Sequence, residues 1–348
     1  MANPVIINES VVLPQLTRIL ILGVLSFVLA MVITPIFTHF AYKYRWWRRQ
    51  RQLDVTGKKA VVFQKLHQEK HKRNIPTMAG LIVIVTVAII TLIFNLNRSE
   101  TWLPLATMIL FGGLGLIDDL SNVFKKTDKT GGLRAKTQLL LLVLLSLLCA
   151  LWFYYKLGWN IIHIPAWGDL TIGWLYIPLF VLVVVSSAKS VSITDGLDGL
   201  AGGTLSFAFG SYAVIAYLSG LSSLATFCVT LVGVMFAYTW FNIYPARFFM
   251  GQVGSTALGA TLGVIAMLTN TVLILPVIGF VFVAETLSVI IQLISKRLRK
   301  GKKVFLSAPI HHHFEAKGWP ETKVTMRFWV IGWVMSLLGV VIALLGKG

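Results

Sequence analysis

Thirteen acidic residues serve a chain of 348, and four of them fall in two tight pairs. Asp118 and Asp119 stand side by side in "GLIDDLSN", and Asp195 and Asp198 punctuate "ITDGLDGLAGG". Carboxylates beside long apolar runs are expensive, and where they occur they usually bind or react with something. Adjacent carboxylates also repel, so a metal ion or a lysine eases the ionisation of both. Lys136 in "GGLRAKTQ" is one such cation. The plain structural alternative is helix capping, with Asp195 standing just ahead of an apolar run. The glycines of "DGLDGLAGG", Gly196 among them, let a backbone approach a ligand closely and free its N–H groups, which suits phosphate at a helix start. "FFMGQVGS" repeats the arrangement further on. Small residues in membrane helices also serve simply for packing.

A third cluster is the triplet His311, His312 and His313, between Pro309 and Phe314. Three consecutive histidines cannot all point one way. Phosphate hydrogen bonding, proton transfer and metal ligation are all open to them. The ligand spacing of a zinc site is absent.

The elements that must position these residues are apolar. Hydrophobic residues make up 56% of the chain and charged ones 13%, about half the charged fraction of a soluble domain. Mean hydropathy is +0.79. Runs of roughly 20 apolar residues, the length that crosses a bilayer, predict about ten transmembrane helices. They lie near 18–41, 76–96, 101–117, 137–155, 174–192, 199–218, 222–241, 253–269, 271–295 and 326–346. The expected fold is an all-α polytopic membrane protein, a single integral membrane domain over 1–348. No secretory signal is visible at the start. Cys149 and Cys228 lie inside apolar runs and read as packing residues.

The basic residues gather in alternate loops, from Lys43 to Arg73, from Lys125 to Lys136, at Arg247 and from Lys296 to Lys323. This is the pattern of cytoplasmic loops, and with ten spans it puts both termini outside. The segment 159–173, "WNIIHIPAWGDLTIG", alternates β-branched and polar residues about a Gly-Asp turn and predicts a small outer-face β-hairpin. The net charge of +18 fits this orientation, and also attraction to anionic membrane lipids and phosphorylated substrates. Nucleic acid is not an expected partner. The carboxylate pairs, the Gly-rich turn, the lysine and the histidines all fall at the cytoplasmic face. That set suits metal-assisted chemistry on a phosphorylated substrate with a lipid partner.

The motifs "PTMAGL", "IDDL", "LRAKTQ", "ITDGLDGLAGG", "WFNIYPARFFMGQVGS" and "PIHHHFEAKGWPE…RFW" occur in this order. Together they resemble the bacterial phospho-N-acetylmuramoyl-pentapeptide transferases, in the polyprenyl-phosphate N-acetylhexosamine-1-phosphate transferase superfamily. The resemblance implies ten helices in the bacterial cytoplasmic membrane. It implies transfer of phospho-N-acetylmuramoyl-pentapeptide from UDP-N-acetylmuramoyl-pentapeptide to undecaprenyl phosphate. UMP is released, the first lipid-linked peptidoglycan precursor is formed, and Mg²⁺ is the cofactor. It places Asp118 and Asp119 near the lipid phosphate, Asp118 as its base, with Lys136 balancing charge. It places Asp195, Gly196, Leu197 and Asp198 in the nucleotide-binding turn, Asp198 and Phe249 near the uracil, and Asn242 in the cleft. The histidine triplet takes part in catalysis or substrate binding, and a homodimer is left open. Three positions depart from the family pattern. "FMGD" reads "FMGQ", so Gln252 stands where a metal-binding aspartate is expected. "NAVNLTDG" reads "KSVSITDG", with substrate-site Lys189 and Ser192 replacing asparagines. "PTMGG" reads "PTMAG" at Ala79. Two other readings are a UDP-N-acetylglucosamine–polyprenyl-phosphate sugar-phosphate transferase of the same superfamily and a lipid or solute transporter. A transporter would place its site near the bilayer midplane.

Overall fold

The computed structural model describes residues 9–47, 74–124 and 132–346. The basic residues in 48–73 and 125–131, on which the loop-charge argument partly rests, lie outside the described residues. Twelve helices and one hairpin follow in chain order among the described residues: α1 (Glu9–Lys43), α2 (Gly80–Phe94), α3 (Trp102–Phe124), α4 (Ala135–Lys156), β1 (Ile161–Ile164), β2 (Gly168–Thr171), α5 (Tyr176–Thr194), α6 (Leu200–Leu218), α7 (Ser222–Asn242), α8 (Gly251–Leu268), α9 (Leu275–Ile278), α10 (Phe280–Leu298), α11 (Ile310–Ala316) and α12 (Glu321–Leu345). The chain is an all-α polytopic membrane protein with one small antiparallel sheet.

Each of the ten apolar runs meets a helix. Eight helices are long and apolar enough to cross a bilayer among the described residues. The other two are α2, of 15 residues, and α10, which carries Glu285 and ends in Lys296 and Arg297. The run 271–295 is broken at Gly279, between the short α9 and α10. Glycine forms helix poorly, and Pro276 starts the turn before it.

The core is organised around α8. Its sequence GQVGSTALGATLGVIAML is rich in Gly, Ala, Ser and Thr, which lets neighbouring backbones come close. Within the span-length window 94% of α8 is buried, against 28% for α4 and for α12. The helix thus sits inside the bundle, packed on α3, α5 and α2. The outer helices turn Leu, Ile, Val and Trp side chains outward, as a lipid-facing surface requires. The hairpin forms with His163 opposite Asp169. Their side chains meet at 2.7 Å, and His163 Nε2 lies 2.9 Å from the Gly346 carbonyl, tying the hairpin to the end of α12.

Candidate active site

The first carboxylate pair is carried by helical periodicity. Phe111, Gly115, Asp118 and Asn122 recur on the buried side of α3, with Asp119 beside them. The sequence places the pair at the junction of span and loop. In the structure α3 continues to Phe124, so both carboxylates lie within the helix. They are 4% and 1% exposed. Each is pinned by a backbone N–H: Leu133 donates to Asp118 Oδ1 at 2.6 Å, and Val253 donates to Asp119 Oδ2 at 3.0 Å. The second bond ties α3 to the first turn of α8. Gly251, which opens that turn, takes φ +77°, and a Cβ there would stand 2.5 Å from Asp119 Oδ2. Only glycine allows this approach.

The next residue, Gln252, is the hub of a polar network. Its Oε1 accepts from the Ser192 hydroxyl at 2.8 Å and, more weakly, from Gln138 Nε2 and Thr256 Oγ1, both at 3.4 Å. Lys189 donates from Nζ to Gln138 Oε1 at 2.5 Å. Lys189 and Ser192 lie on α5, Gln138 on α4 and Gln252 on α8. One chain of hydrogen bonds therefore joins three helices. Lys136, two residues before Gln138, is exposed at the start of α4.

The second acidic pair is arranged differently. Asp195 ends α5 as its C-cap. The N-cap of α6 is Gly199, with φ +78° and no side-chain cap, so Asp195 does not cap the helix that follows it. Asp198 is buried and accepts the Ala246 N–H at 3.0 Å through Oδ2. Its own N–H donates to Glu321 Oε1 at 2.7 Å. Asn242 fastens the same turn: its Oδ1 accepts from Gly199 N–H at 3.0 Å, and its Nδ2 donates to the Phe248 carbonyl at 2.8 Å. The segment before α8 is strapped to "PTMAGL" by backbone bonds. Phe249 donates to the Pro76 carbonyl, and Ala79 and Gly80 donate to the carbonyls of Phe249 and Met250. The Phe249 ring is half-buried and Leu197 is buried.

The histidines sit on α11, beside this turn. The His311 ring lies over Gly196, where an added Cβ would be 2.5 Å from Nε2. His311 Nδ1 is 2.9 Å from Glu285 Oε2, and both side chains are 0% exposed. His312 Nδ1 meets Glu315 Oε2 at 2.6 Å. His313 Nδ1 accepts from the Leu306 N–H at 3.1 Å, and burial, helped by the Lys317 ammonium, lowers its pKa. The three rings thus have three different partners.

The structure brings Gln252, Lys189 and Ser192 into one network, and Gly196 and His311 into contact. It keeps Lys136 out of the polar network. Three side chains that sequence reasoning left out of the site connect it: Gln138, Glu285 and Glu321. Gln138 closes the quoted "LRAKTQ", and Glu285 is visible as an acid inside an apolar run. Glu321 is the last acid of the quoted "PIHHHFEAKGWPE". A magnesium ion favours oxygen ligands, commonly one or two carboxylates with substrate phosphates and water. Asp118 and Asp119 fit that role by type. No group of three or more His, Cys, Asp or Glu side chains suited to a metal occurs among the described residues.

The Glycosyl transferase family 4 pattern matches residues 101–270, which include both acidic pairs and Gln252. A phospho-N-acetylmuramoyl-pentapeptide-transferase of Chloroflexus aurantiacus (strain ATCC 29366 / DSM 635 / J-10-fl) is 38% identical over 350 residues, covering 97% of this chain and 92% of the relative. The chain belongs to the phospho-N-acetylmuramoyl-pentapeptide transferase family. Relatives with the same name occur in Geobacillus sp. (strain WCH70), 37% identical over 94% of this chain and 99% of theirs, and in Desulfotalea psychrophila, 40% identical over 77% and 80%.

Proposed function

We propose that this protein transfers phospho-N-acetylmuramoyl-pentapeptide from its UDP carrier to undecaprenyl phosphate. The observation that carries the reading is the buried Asp118–Asp119 pair at the seam of α3 and α8, in a chain whose relatives bear that transferase name. In this reading an oxygen of the lipid phosphate attacks the sugar-bearing phosphorus of the diphosphate. The new P–O bond forms as the bond to UMP breaks, and UMP leaves with the electron pair. Asp118 is the base for the lipid phosphate. Phosphate meeting diphosphate concentrates negative charge, which fixed cations and donors must offset. Lys189 supplies a cation at the Gln252 network, with Lys136 at the mouth. The turn 195–199, held by Asn242 and Asp198, receives the uridine end, and the triplet His311, His312 and His313 takes part in catalysis or substrate binding, with His311 against the turn.

Mg²⁺ is proposed as cofactor, held by Asp118 and Asp119; when bound it would screen the phosphate charge. The site lies on the cytoplasmic face of the bacterial inner membrane, within one membrane domain of ten spans with both termini outside.

The test is UMP release in detergent with undecaprenyl phosphate, with and without Mg²⁺. UDP-N-acetylmuramoyl-pentapeptide should be used and UDP-N-acetylglucosamine should not. Turnover of the second alone would move the protein to the sister activity. The topology has its own test. Exposed Lys317, four residues beyond His313, changed to cysteine should react with an impermeant thiol reagent from the inside only. Labelling from outside would overturn the assignment of faces.

A further inference from the structure

We propose that Glu285 is the positioning residue for His311, fixing Nδ1 as the bonded nitrogen and directing Nε2 at the 195–199 turn. This rests on the function proposed above, which seats the uridine diphosphate end of the substrate at that turn. Glu285 lies on α10 and His311 on α11, and both are fully buried. A carboxylate is unstable in such a place without a partner, and its partner is the imidazole, 2.9 Å away. The hydrogen bond made by one ring nitrogen of a histidine sets the state of the other. With Nδ1 bonded to the Glu285 carboxyl group, Nε2 is left to interact elsewhere. Among the described residues Nε2 is buried with no hydrogen-bond partner, and Glu285 Oε1 is in the same condition. Most buried polar atoms are satisfied, so such a group calls for an explanation. The direction in which Nε2 points supplies one. It abuts the α-carbon of Gly196, where any side chain would collide with the ring. Glu285 on α10 contacts His311, and His311 in turn contacts Gly196 of the 195–199 turn. When Nε2 carries a proton it can donate to a phosphate oxygen, with the Glu285 carboxyl group behind Nδ1 holding the ring in place.

The test uses full-length protein in nanodiscs with ¹⁵N-labelled histidine, the His311 signals being assigned by their loss in His311→Gln. Nδ1 should be protonated, and the Nε2 signal should move when uridine diphosphate is added. A ring with bare Nδ1, or an Nε2 signal indifferent to the nucleotide, overturns the proposal. A second arm is kinetic. Glu285→Gln, close in shape to the original, should lower kcat about 10-fold or more with KM changed much less. His311→Gln should fall at least as far, and the double variant no further, because the two act as one unit. Normal kcat in Glu285→Gln, or additive losses, also overturns it. If Glu285→Gln does not fold, the ring signals of the unaltered protein decide alone. An unaltered protein that turns over neither UDP-sugar sinks the functional reading, and the ring signals still report separately whether Glu285 sets His311.

Discussion

Around Gln252 the contacts run from side chain to side chain: lysine to amide, amide to amide, hydroxyl to amide, at 2.5–3.4 Å. Around Asp198 and Asn242 they run from side chain to backbone, at 2.8–3.0 Å. The two regions differ in how they accommodate sequence change. Lys189, Ser192 and Gln252, the positions where the motif resemblance leads one to expect other residues, all fall in the first region, joined through Gln252 and Gln138. Asp195, Asp198 and Asn242, in the second region, are the residues that the motif resemblance leads one to expect. A side chain that holds a buried backbone N–H can be exchanged only for one that still offers an acceptor, or that group is left unpaired. A side chain that holds another can change together with its partner. The departure at Ala79 belongs to neither pattern, because its contribution to the strap is its backbone N–H on the Phe249 carbonyl.

The largest effect is expected outside both regions, at the acidic pair where α3 meets α8. Asp118→Asn keeps an oxygen to accept from Leu133 N–H, so the loop before α4 should stay in place. The variant loses the proposed base, and turnover should fall by about 10²–10⁴-fold with the melting temperature little changed. Near-normal turnover in a folded protein would remove Asp118 from the chemistry and leave it a loop anchor.

A smaller effect tests the backbone-bonded region. Asp198→Ala leaves the Ala246 N–H buried and unpaired. It should cost about 1–3 kcal/mol of stability and weaken uridine-nucleotide binding about 10-fold or more. Asp198→Asn retains an acceptor and should recover most of both, as read by thermal melts and nucleotide titration. Unchanged nucleotide affinity in the alanine variant would reduce the residue to a structural tie.

Much of this was legible in the sequence because it is periodic or punctuated. The apolar runs gave every helix longer than a few turns, and the hairpin followed from β-branched alternation around Gly168 and Asp169. The clustering of acids and histidines marked the candidate site. What the sequence left out are distances across the fold. Nothing local to "LRAKTQ" says that Gln138 stands between Lys189 and Gln252. Nor does anything near "IHHHFE" say that His311 pairs with an acid twenty-six residues earlier. The break at Gly279 was missed because hydropathy averages over it, and α3 outran its apolar run because buried Asp118, Asp119 and Asn122 continue its inward face.

The smallest effect bears most directly on the comparison, because it asks whether the exchanged residues work as a unit. Hard cations favour carboxylate over amide oxygen, so Gln252→Asp should lower the Mg²⁺ concentration needed for half-maximal UMP release. The new carboxylate would sit in a network that contains the Lys189 ammonium, one amide away. That cation competes with a metal for the same charge, so the gain should be modest, about a few-fold. Lys189→Asn removes the competitor and, in the Gln252 background, should weaken metal dependence little or not at all. Combined with Gln252→Asp it should lower the midpoint further than the two single changes together, because residues sharing one network couple by roughly 0.5–3 kcal/mol. Strict additivity would mean that Lys189 and position 252 act independently despite the Gln138 bridge. An unchanged midpoint in a folded, active Gln252→Asp protein would mean that metal is held without this position, leaving Asp118, Asp119 and Asp195 as its candidates.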